Sequence, residues 1–307
     1  MLFAIDLLST IYTVMRTCRR FHLFVGANPL NALAGLTLRK LGFVQTSVFW
    51  SVDFSPSRFR NPILNHLYHL LENIAAKESD CTWCISDAIV KLFAQKSRRL
   101  VKATPACVPC RPLPLNKIDR QGIVYAGDLA PEKGLETLIR SMPKILRYCP
   151  KATLTIVGSG SNISHLRAET KSLGLTSKIR FTGHLPTVRD VCRVLRKNAI
   201  GVAPYSLTYY EPYAFPGKVI QYMACGLPVV MTEIPELANE VRANETGIVV
   251  GRDSSLVKAI VKLLSDDKTY LRFRKNAIEF AARYGIEHVY TEALAQTFDA
   301  PKTGPNE

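Results

Sequence analysis

The sequence predicts an α/β protein built from parallel sheets with helices on both faces. Short apolar segments alternate with amphipathic helical segments along almost the whole chain, a pattern that is typical of repeated β-α-β units. A length of 307 residues and a hydrophobic content of 47% suit two globular domains of ordinary size. We therefore expect two doubly wound domains in sequence.

The order of the predicted elements divides the chain into four segments. These are a partial first α/β domain, a second α/β domain, a C-terminal helix that packs back on the first domain, and a flexible tail. In that order they cover residues 1–120, 121–284, 285–298 and 299–307. The first domain is expected to hold strands at residues 22–25, 46–50, 81–85 and 106–109. The second is expected to hold strands at residues 123–126, 153–157, 178–181, 200–203, 228–231 and 247–250.

The charge of the chain indicates which classes of partner it can bind. The net charge is +15, and the first 120 residues hold 16 lysines and arginines against 7 acidic residues. A basic surface suits nucleic acid, anionic lipid or a phosphorylated substrate. No RNP signature, aromatic-interleaved basic stripe or zinc-finger helix is present to favour nucleic acid, so we predict no nucleic-acid partner.

The first residues are apolar but do not form a signal peptide. Their basic cluster, Arg16, Arg19 and Arg20, follows the apolar residues instead of preceding them. No uninterrupted apolar run reaches the roughly 18 residues of a spanning helix. We predict an amphipathic helix within the first domain, with a membrane-surface helix as the alternative. The expected location is cytoplasmic, with a peripheral position at the inner face of the membrane as the further alternative.

Eight cysteines without a secretory signal indicate free thiols in a reducing compartment. Cys81 with Cys84, and Cys107 with Cys110, have the C-x2-C spacing of structural zinc sites. Both pairs fall in segments of β type, where residues i and i+3 point to opposite faces. We expect buried small hydrophobic side chains, with zinc and then a disulfide as the alternatives, and we assign no metal site.

Four loops of the second domain follow predicted strands and carry glycine or lysine. They span residues 126–134, 157–160, 181–184 and 209–218. In a doubly wound sheet, loops at the carboxyl ends of the strands gather at one edge, where ligands bind. Lys133 and Lys218 each fall at the start of a predicted helix, and a helix N-terminus with a lysine binds anions. These loops predict a site for a phosphate-bearing ligand.

The motifs in these loops resemble glycosyltransferase family 4. The matching stretches occur in the family's order and spacing at residues 125–134, 154–160, 179–183, 202–205, 221–230 and 245–250. The resemblance implies a GT-B fold, in which two Rossmann-like domains face a cleft. It further implies a retaining transfer, without a metal or other cofactor, from a UDP-, GDP- or ADP-sugar to a lipid-linked, glycan or other acceptor.

The resemblance also implies roles for individual residues. Lys133 would hold the diphosphate, and Gln221 would sit at the nucleotide ribose. Gly127 and Gly158 would let the backbone approach the donor. The remaining donor-site residues are Phe181 and Gly183 near the base, and Phe215, Pro216, Gly217 and Lys218 at the sugar and phosphates. Asp53 and Glu211 complete the catalytic candidates alongside Lys133.

Three features depart from the family pattern. Gln221 and Tyr213 stand where the family has two glutamates, and Glu211 comes two residues too early. Asp128 stands where a basic residue is usual. The front of the first domain is short by several elements, which indicates a truncated product, a mis-called start, or a split enzyme whose small partner chain supplies them.

These departures leave two alternatives to a complete transferase. The first is a nucleotide-binding subunit, non-catalytic or part of a split enzyme, that needs a partner for activity. The second, weaker alternative is a sugar-nucleotide epimerase on the same architecture.

Overall fold

The computed structural model of the chain describes residues 2–206, 213–251 and 255–298, and these form two compact units. The first unit holds the described residues up to Pro105, the short stretch Tyr213–Phe215, and the described residues from Glu287 onward. The second unit holds the other described residues. Residues 106–120, which the sequence assigned to the first domain, therefore cluster with the second unit.

The first unit is built on a four-stranded parallel sheet in the order β1-β2-β3-β4. Its elements up to Pro105 are α1 (Leu2–Arg16), β1 (Phe21–Gly26), α2 (Pro29–Lys40), β2 (Val44–Ser51), α3 (Pro62–Glu78), β3 (Cys81–Cys84), α4 (Asp87–Phe93) and β4 (Leu100–Lys102). The predicted amphipathic helix at the start of the chain is confirmed as α1.

Side-chain caps begin three of these helices. Asn28 and Asn61 each accept a hydrogen bond from a backbone N–H of the first turn, and a proline follows each of them. Ser86 caps α4 by accepting from the Ile89 N–H. Such caps satisfy amide groups that have no partner inside the helix, so the boundaries of these helices are determined locally.

The strand predicted at residues 106–109 is wrong, because the edge strand of this sheet is β4. Within the predicted segment only Cys107 makes a β-bridge, with Gly285. Pro105 and Pro109 flank it, and proline has no N–H to donate to a ladder. Val101, by contrast, is buried and pairs with Trp83 of β3.

The second unit is built on a six-stranded parallel sheet in the order β10-β9-β8-β5-β6-β7. Its elements are β5 (Gly122–Ala126), α5 (Leu135–Tyr148), β6 (Thr153–Val157), α6 (Ile163–Ser172), β7 (Ile179–Gly183), α7 (Val188–Leu195), β8 (Ile200–Ala203), α8 (Gly217–Ala224), β9 (Val229–Thr232), α9 (Pro235–Ala243), β10 (Gly247–Val250), α10 (Ser255–Ser265) and α11 (Asp267–Ala282). The helix that ends the described chain, α12 (Ile286–Phe298), belongs to the first unit from Glu287 onward. All six strands predicted for the second domain are confirmed, and α9 is an additional helix. The predicted α/β class with parallel sheets is confirmed.

The connectivity of this sheet creates a switch point. From β5 the chain moves outward through β6 and β7, then crosses to β8 on the other side of β5 and continues outward to β10. Loops on the two sides of β5 therefore diverge, which leaves a crevice at the carboxyl ends of β5 and β8.

Close packing positions α8 beside this crevice. Tyr222 of α8 is fully buried, and a Cβ on Gly201 of β8 would lie 2.4 Å from its ring. Only glycine at position 201 therefore lets α8 lie this close to the sheet. On the apolar face of α5, Leu138, Ile139 and Met142 are also fully buried, each contributing about 1.5–3 kcal/mol by burial.

Within the described part of the chain, every helix is too short or too polar to cross a bilayer.

Candidate functional site

A cavity of about 440 Å³ opens in the second unit at the carboxyl ends of β5, β6 and β7. Its walls come from the loops that follow these strands and from α7 and α8. The predicted site residues that line it are Gly127, Gly158, Lys218 and Gln221. The volume is in the range of small-molecule and cofactor sites, and the cavity shares the carboxyl end of β5 with the switch point.

Two glycines allow the loops of this cavity to cross. Gly127 has φ 147° and Gly158 has φ 133°, backbone angles that residues other than glycine rarely adopt. A Cβ on Gly158 would lie 1.9 Å from the Gly127 carbonyl oxygen, and a Cβ on Gly127 would lie 2.5 Å from Lys218 Nζ. Any larger residue at these positions would occupy the space of the lysine or of the opposite loop.

Lys218, in the first turn of α8, presents a shielded cation to the cavity. Its Nζ donates to Tyr125 Oη over 2.9 Å, and that hydroxyl donates in turn to the Asp128 carbonyl over 2.7 Å. The Nζ also lies 4.3 Å from the centre of the Tyr125 ring and 5.1 Å from that of Tyr205. Within the described residues, no carboxylate forms an ion pair with it. Burial, aided by the positive charge of Lys133, lowers the pKa of Lys218 to about 7.

Lys133 approaches the ring of Tyr205 from the loop after β5. It ends a 3-10 turn, Pro131–Lys133, and its Nζ lies 5.9 Å from the centre of the Tyr205 ring. The expectation that Lys133 starts the long helix is wrong, because α5 begins at Leu135 after Gly134, whose φ of 70° breaks the helix. The lysine also lies 3.4 Å from Glu132 Oε1. Two cations thus face one aromatic ring, an arrangement that an anion between them would stabilise.

Gln221 lines the cavity, but its amide is already engaged. Its Oε1 accepts from the Val108 N–H over 3.0 Å, and its Nε2 donates to the Val108 carbonyl over 3.1 Å. A glutamate could make only the first of these bonds, because an ionised carboxylate has no donor. The glutamine therefore ties the segment that precedes β5 to α8.

Other predicted donor-site residues, in β7 and at the start of α8, do not line the cavity. Phe181 is half-buried against the core, with the Arg167 guanidinium 5.5 Å from its ring centre. Gly183 accepts at its carbonyl from the Gly158 N–H over 2.9 Å. Pro216 and Gly217 form the turn into α8. His184, which the sequence also places after β7, does line the cavity and is exposed.

Two further predicted residues do not line this cavity. Phe215 belongs to the first unit and packs against a core cluster that includes Phe49 and Ile89. Asp53, also in the first unit, forms an ion pair with Arg58 over 2.7 Å, and its side chain is 62% exposed. The carboxylate of Asp53 is therefore already paired with a neighbouring guanidinium. A third predicted residue, Glu211, lies outside the described residues.

Sequence reasoning missed the tyrosines of this site. Tyr222 Oη accepts from the Ala126 N–H over 2.7 Å and donates to the Ala126 carbonyl over 3.1 Å, which holds the end of β5 against α8. Tyr125 positions Lys218. A tyrosine within an apolar strand or helix looks like any core residue in a sequence, and only the pairing of distant elements reveals its hydroxyl partner.

The chain has the GT-B fold of known glycosyltransferases. The solved structure of Anabaena Alr3699/HepE in complex with UDP superposes with a TM-score of 0.73 at 18% identity, covering 94% of this chain and 81% of that one.

Sequence comparison also finds similarity to glycosyltransferases. Residues 120–266 match the family Glycosyl transferases group 1. The glycogen synthase of Mycobacterium tuberculosis (strain CDC 1551 / Oshkosh) is 27% identical over 78% of this chain and 59% of its own length. The D-inositol 3-phosphate glycosyltransferase of Corynebacterium diphtheriae is 26% identical over 71% of this chain and 52% of its own length. The chain thus spans between half and three fifths of these two relatives.

Proposed function

We propose that the cavity of the second unit binds the diphosphate of a nucleotide-diphosphate sugar, and that the chain is a retaining glycosyltransferase. The observation that carries this proposal is Lys218. Its ammonium is half-buried beside Tyr125 without an ion-pair partner among the described residues, and partial desolvation lowers its pKa. A partly desolvated cation without an ion-pair partner is unfavourable, so the arrangement favours an anionic ligand.

The two lysines suit the chemistry of sugar transfer. Breaking the bond between a sugar and a diphosphate leaves negative charge on the leaving phosphate. Lys218 and Lys133 would stabilise that charge as it develops. In this proposal the lysines do what a metal ion does elsewhere, so the transfer itself needs no metal.

The similar proteins support a nucleotide-sugar donor but leave its base open. The solved relative is a complex with UDP, and a UDP-, GDP- or ADP-sugar would each carry the diphosphate that the lysines recognise. We propose that the base binds between the loops after β6 and β7, where the cavity continues to His184.

The acceptor would be a lipid-linked molecule or a glycan bound by the first unit. This proposal rests on the basic charge of that part of the sequence and on α1. Ile5, Leu8, Tyr12 and Met15 form an exposed apolar stripe on α1, followed by arginines, and such a helix suits an anionic membrane surface. A peripheral position at the cytoplasmic face of a membrane would bring a lipid-linked acceptor to the enzyme.

Thermal-shift measurements with UDP, GDP and ADP test the donor site. A ligand that binds only the folded protein raises its midpoint, so we expect one nucleotide to stabilise the wild type and to lose most of that effect in Lys218→Met. The matched control is Lys144→Met, an exposed lysine of α5. Equal stabilisation of Lys218→Met and the wild type would contradict the proposal.

Transfer itself needs a separate experiment. With the stabilising sugar nucleotide and membrane extracts as acceptor, we expect a product whose anomeric configuration, measured by NMR, equals that of the donor. An inverted product would refute the retaining mechanism. Nucleotide binding without transfer would instead support the role of a subunit that needs a partner chain.

A further inference from the structure

A cluster of three cysteines lies behind the wall of the cavity. Cys110 comes from the segment before β5, Cys192 from α7, and Cys225 from the C-terminal cap of α8. Their three sulfur atoms all lie within 4.8 Å of one another. Cys192 and Cys225 are buried, and Cys110 is half-buried. We name this group the trithiol cluster.

The C-x2-C spacing did not reveal this cluster. It takes one cysteine, Cys110, from the second C-x2-C pair and joins it to two cysteines far along the chain. Cys107, the other member of that pair, instead donates from Sγ to the Ala281 carbonyl. The tertiary structure therefore selects a different set of sulfur atoms from the one that sequence spacing suggested.

Packing alone accounts for a buried cysteine but not for three at one point. Cys149 and Cys107 are examples of cysteines that pack in the core. Each is buried, and among the described residues neither belongs to a group of side chains that could hold a metal ion. In the trithiol cluster, three separate segments deliver their sulfur atoms to one small volume. Three thiols from separate segments at one point form a set of ligands that suits a thiophilic metal ion.

We propose that the trithiol cluster is a structural site for a thiophilic metal ion of the Zn²⁺ or Cu⁺ class. Thiolates select these ions over harder cations. With metal–sulfur distances near 2.3 Å, three ligand sulfurs lie roughly 3.8–4.0 Å apart. This separation is within the 4.8 Å limit that contains the three sulfur atoms here. Cys110 Sγ and Cys225 Sγ are 2.7 Å apart, so their separation would widen by about 1 Å when the ion enters.

Two neighbouring groups suit the negative charge of a metal thiolate site. Arg196, the residue after α7, interacts electrostatically with both Cys110 and Cys192. Its buried Nε has no hydrogen-bond partner among the described residues. Gln221 donates from Nε2 toward Cys192 Sγ over 3.3 Å. Ligand sulfurs commonly receive such second-sphere hydrogen bonds.

The site would organise the floor of the cavity. Cys192 lies between Val191 and Leu195, which both line the cavity, and Gln221 links the cluster to the cavity directly. An ion at the cluster would fix α7, α8 and the segment of Val108 in one arrangement. This inference does not depend on the proposed sugar transfer, since it concerns a site outside the cavity.

Metal binding by the full-length protein tests the proposal. Reduced, metal-free protein is titrated separately with Zn²⁺ and with Cu⁺, and Co²⁺ serves as a spectroscopic probe. We expect one equivalent of Zn²⁺ or Cu⁺ to bind, and Co²⁺ to show the sulfur-to-metal charge-transfer absorption of thiolate coordination. Cys192→Ser should weaken binding at least tenfold. Cys149→Ser, a buried cysteine outside the cluster, should leave it unchanged.

A second cysteine variant and a test for a disulfide complete the experiment. If Cys192→Ser fails to fold by circular dichroism, Cys110→Ser replaces it, because Cys110 is half-buried in an irregular segment. Metal binding that survives both Cys110→Ser and Cys192→Ser would overturn the proposal. So would the absence of metal binding in the reduced wild type, or a Cys110–Cys225 disulfide found by mass spectrometry in protein purified anaerobically from a reducing cytoplasm.

Discussion

Lys218 shows how one residue links the stability of this protein to its ligand. The lysine lies against the rings of Tyr125 and Tyr205 and receives repulsion from Lys133. Keeping a cation there opposes folding, since the unfolded chain leaves it in water. In the proposed function, a bound anion would offset this cost.

Replacing this lysine should separate stability from binding. We expect Lys218→Met to raise the free energy of unfolding of the ligand-free protein by about 1–2 kcal/mol at pH 6, because a partly desolvated charge is removed and the apolar chain is kept. The same variant should lose nucleotide-diphosphate binding. Urea denaturation and calorimetric titration measure the two effects, and a destabilised variant would contradict the account.

The pH dependence of nucleotide binding follows from the same group. The pKa of Lys218 is lowered to about 7, and a bound diphosphate must raise it again. Above pH 7 the free site is neutral, so binding takes up a proton and affinity falls by up to about tenfold per pH unit. Below pH 7 the lysine is already charged and this uptake vanishes.

Calorimetry measures directly whether nucleotide binding takes up or releases a proton. Between pH 7.5 and 9 the diphosphate is fully ionised, so titrations in buffers of different ionisation enthalpy should report uptake approaching one proton. In Lys218→Met the residual binding should show no such uptake. A proton released on binding, or an affinity independent of pH in the wild type, would disprove the assignment.

Gln221 gives a prediction that runs against the family pattern. Restoring the family's carboxylate with Gln221→Glu would place an oxygen against the Val108 carbonyl, where Nε2 now donates over 3.1 Å. We expect a loss of about 1–3 kcal/mol in the free energy of unfolding. Gln95→Glu, at an exposed position, is the charge-matched control in the same denaturation experiment. Stability equal to that of the wild type would mean that the bond to Val108 contributes little.

At the scale of elements, the junction between β5 and α5 depends on Gly134. This residue adopts φ 70°, and a Cβ there would lie 1.7 Å from the Pro204 carbonyl oxygen. The close approach brings the segment of Tyr205 against the loop of Lys133, and the Ser206 N–H donates to the Glu132 carbonyl over 3.0 Å. The positions of both lysines relative to Tyr205 rely on this contact.

Two glycine substitutions separate backbone strain from the clash. Gly174, after α6, adopts φ 67°, and a Cβ added there would have no other atom within 4 Å. Gly174→Ala should therefore show the strain of the left-handed conformation alone, about 1–2 kcal/mol. Gly134→Ala adds the overlap with Pro204 and should lose at least about 3 kcal/mol. Equal losses in denaturation would show that the contact with Pro204 relaxes freely.

At the scale of the whole molecule, the charge of +15 governs its encounters with other surfaces. Each lysine or arginine near an anionic bilayer contributes about 1 kcal/mol of attraction, and salt screens that attraction. The exposed apolar stripe of α1 adds a second contribution that salt does not remove. Together these terms predict binding to anionic but not to neutral vesicles.

Co-sedimentation with vesicles measures this prediction. We expect binding to vesicles containing phosphatidylglycerol that weakens at high salt, and little binding to pure phosphatidylcholine. Leu8→Glu, on the exposed stripe of α1, should reduce it severalfold. Tyr148→Glu, at a comparably exposed position of α5, should reduce it less, although it adds the same negative charge. Equal reductions by the two variants would argue against a role for α1.

The sequence by itself determined the class of fold and the edge of the sheet that carries the site. Strand and helix periodicity is local, so all six strands of the second unit were found. Glycine and lysine after those strands located the cavity, because parallel strands necessarily end at one edge.

Only the tertiary structure decided which side chains meet there. Tyr125, Tyr205 and Lys218 are far apart in sequence, and the lowered pKa of Lys218 comes from burial among them. Gln221 is committed to Val108, and Cys110, Cys192 and Cys225 converge from three segments. Burial and convergence depend on long-range contacts between elements, which periodicity, capping and residue spacing do not encode.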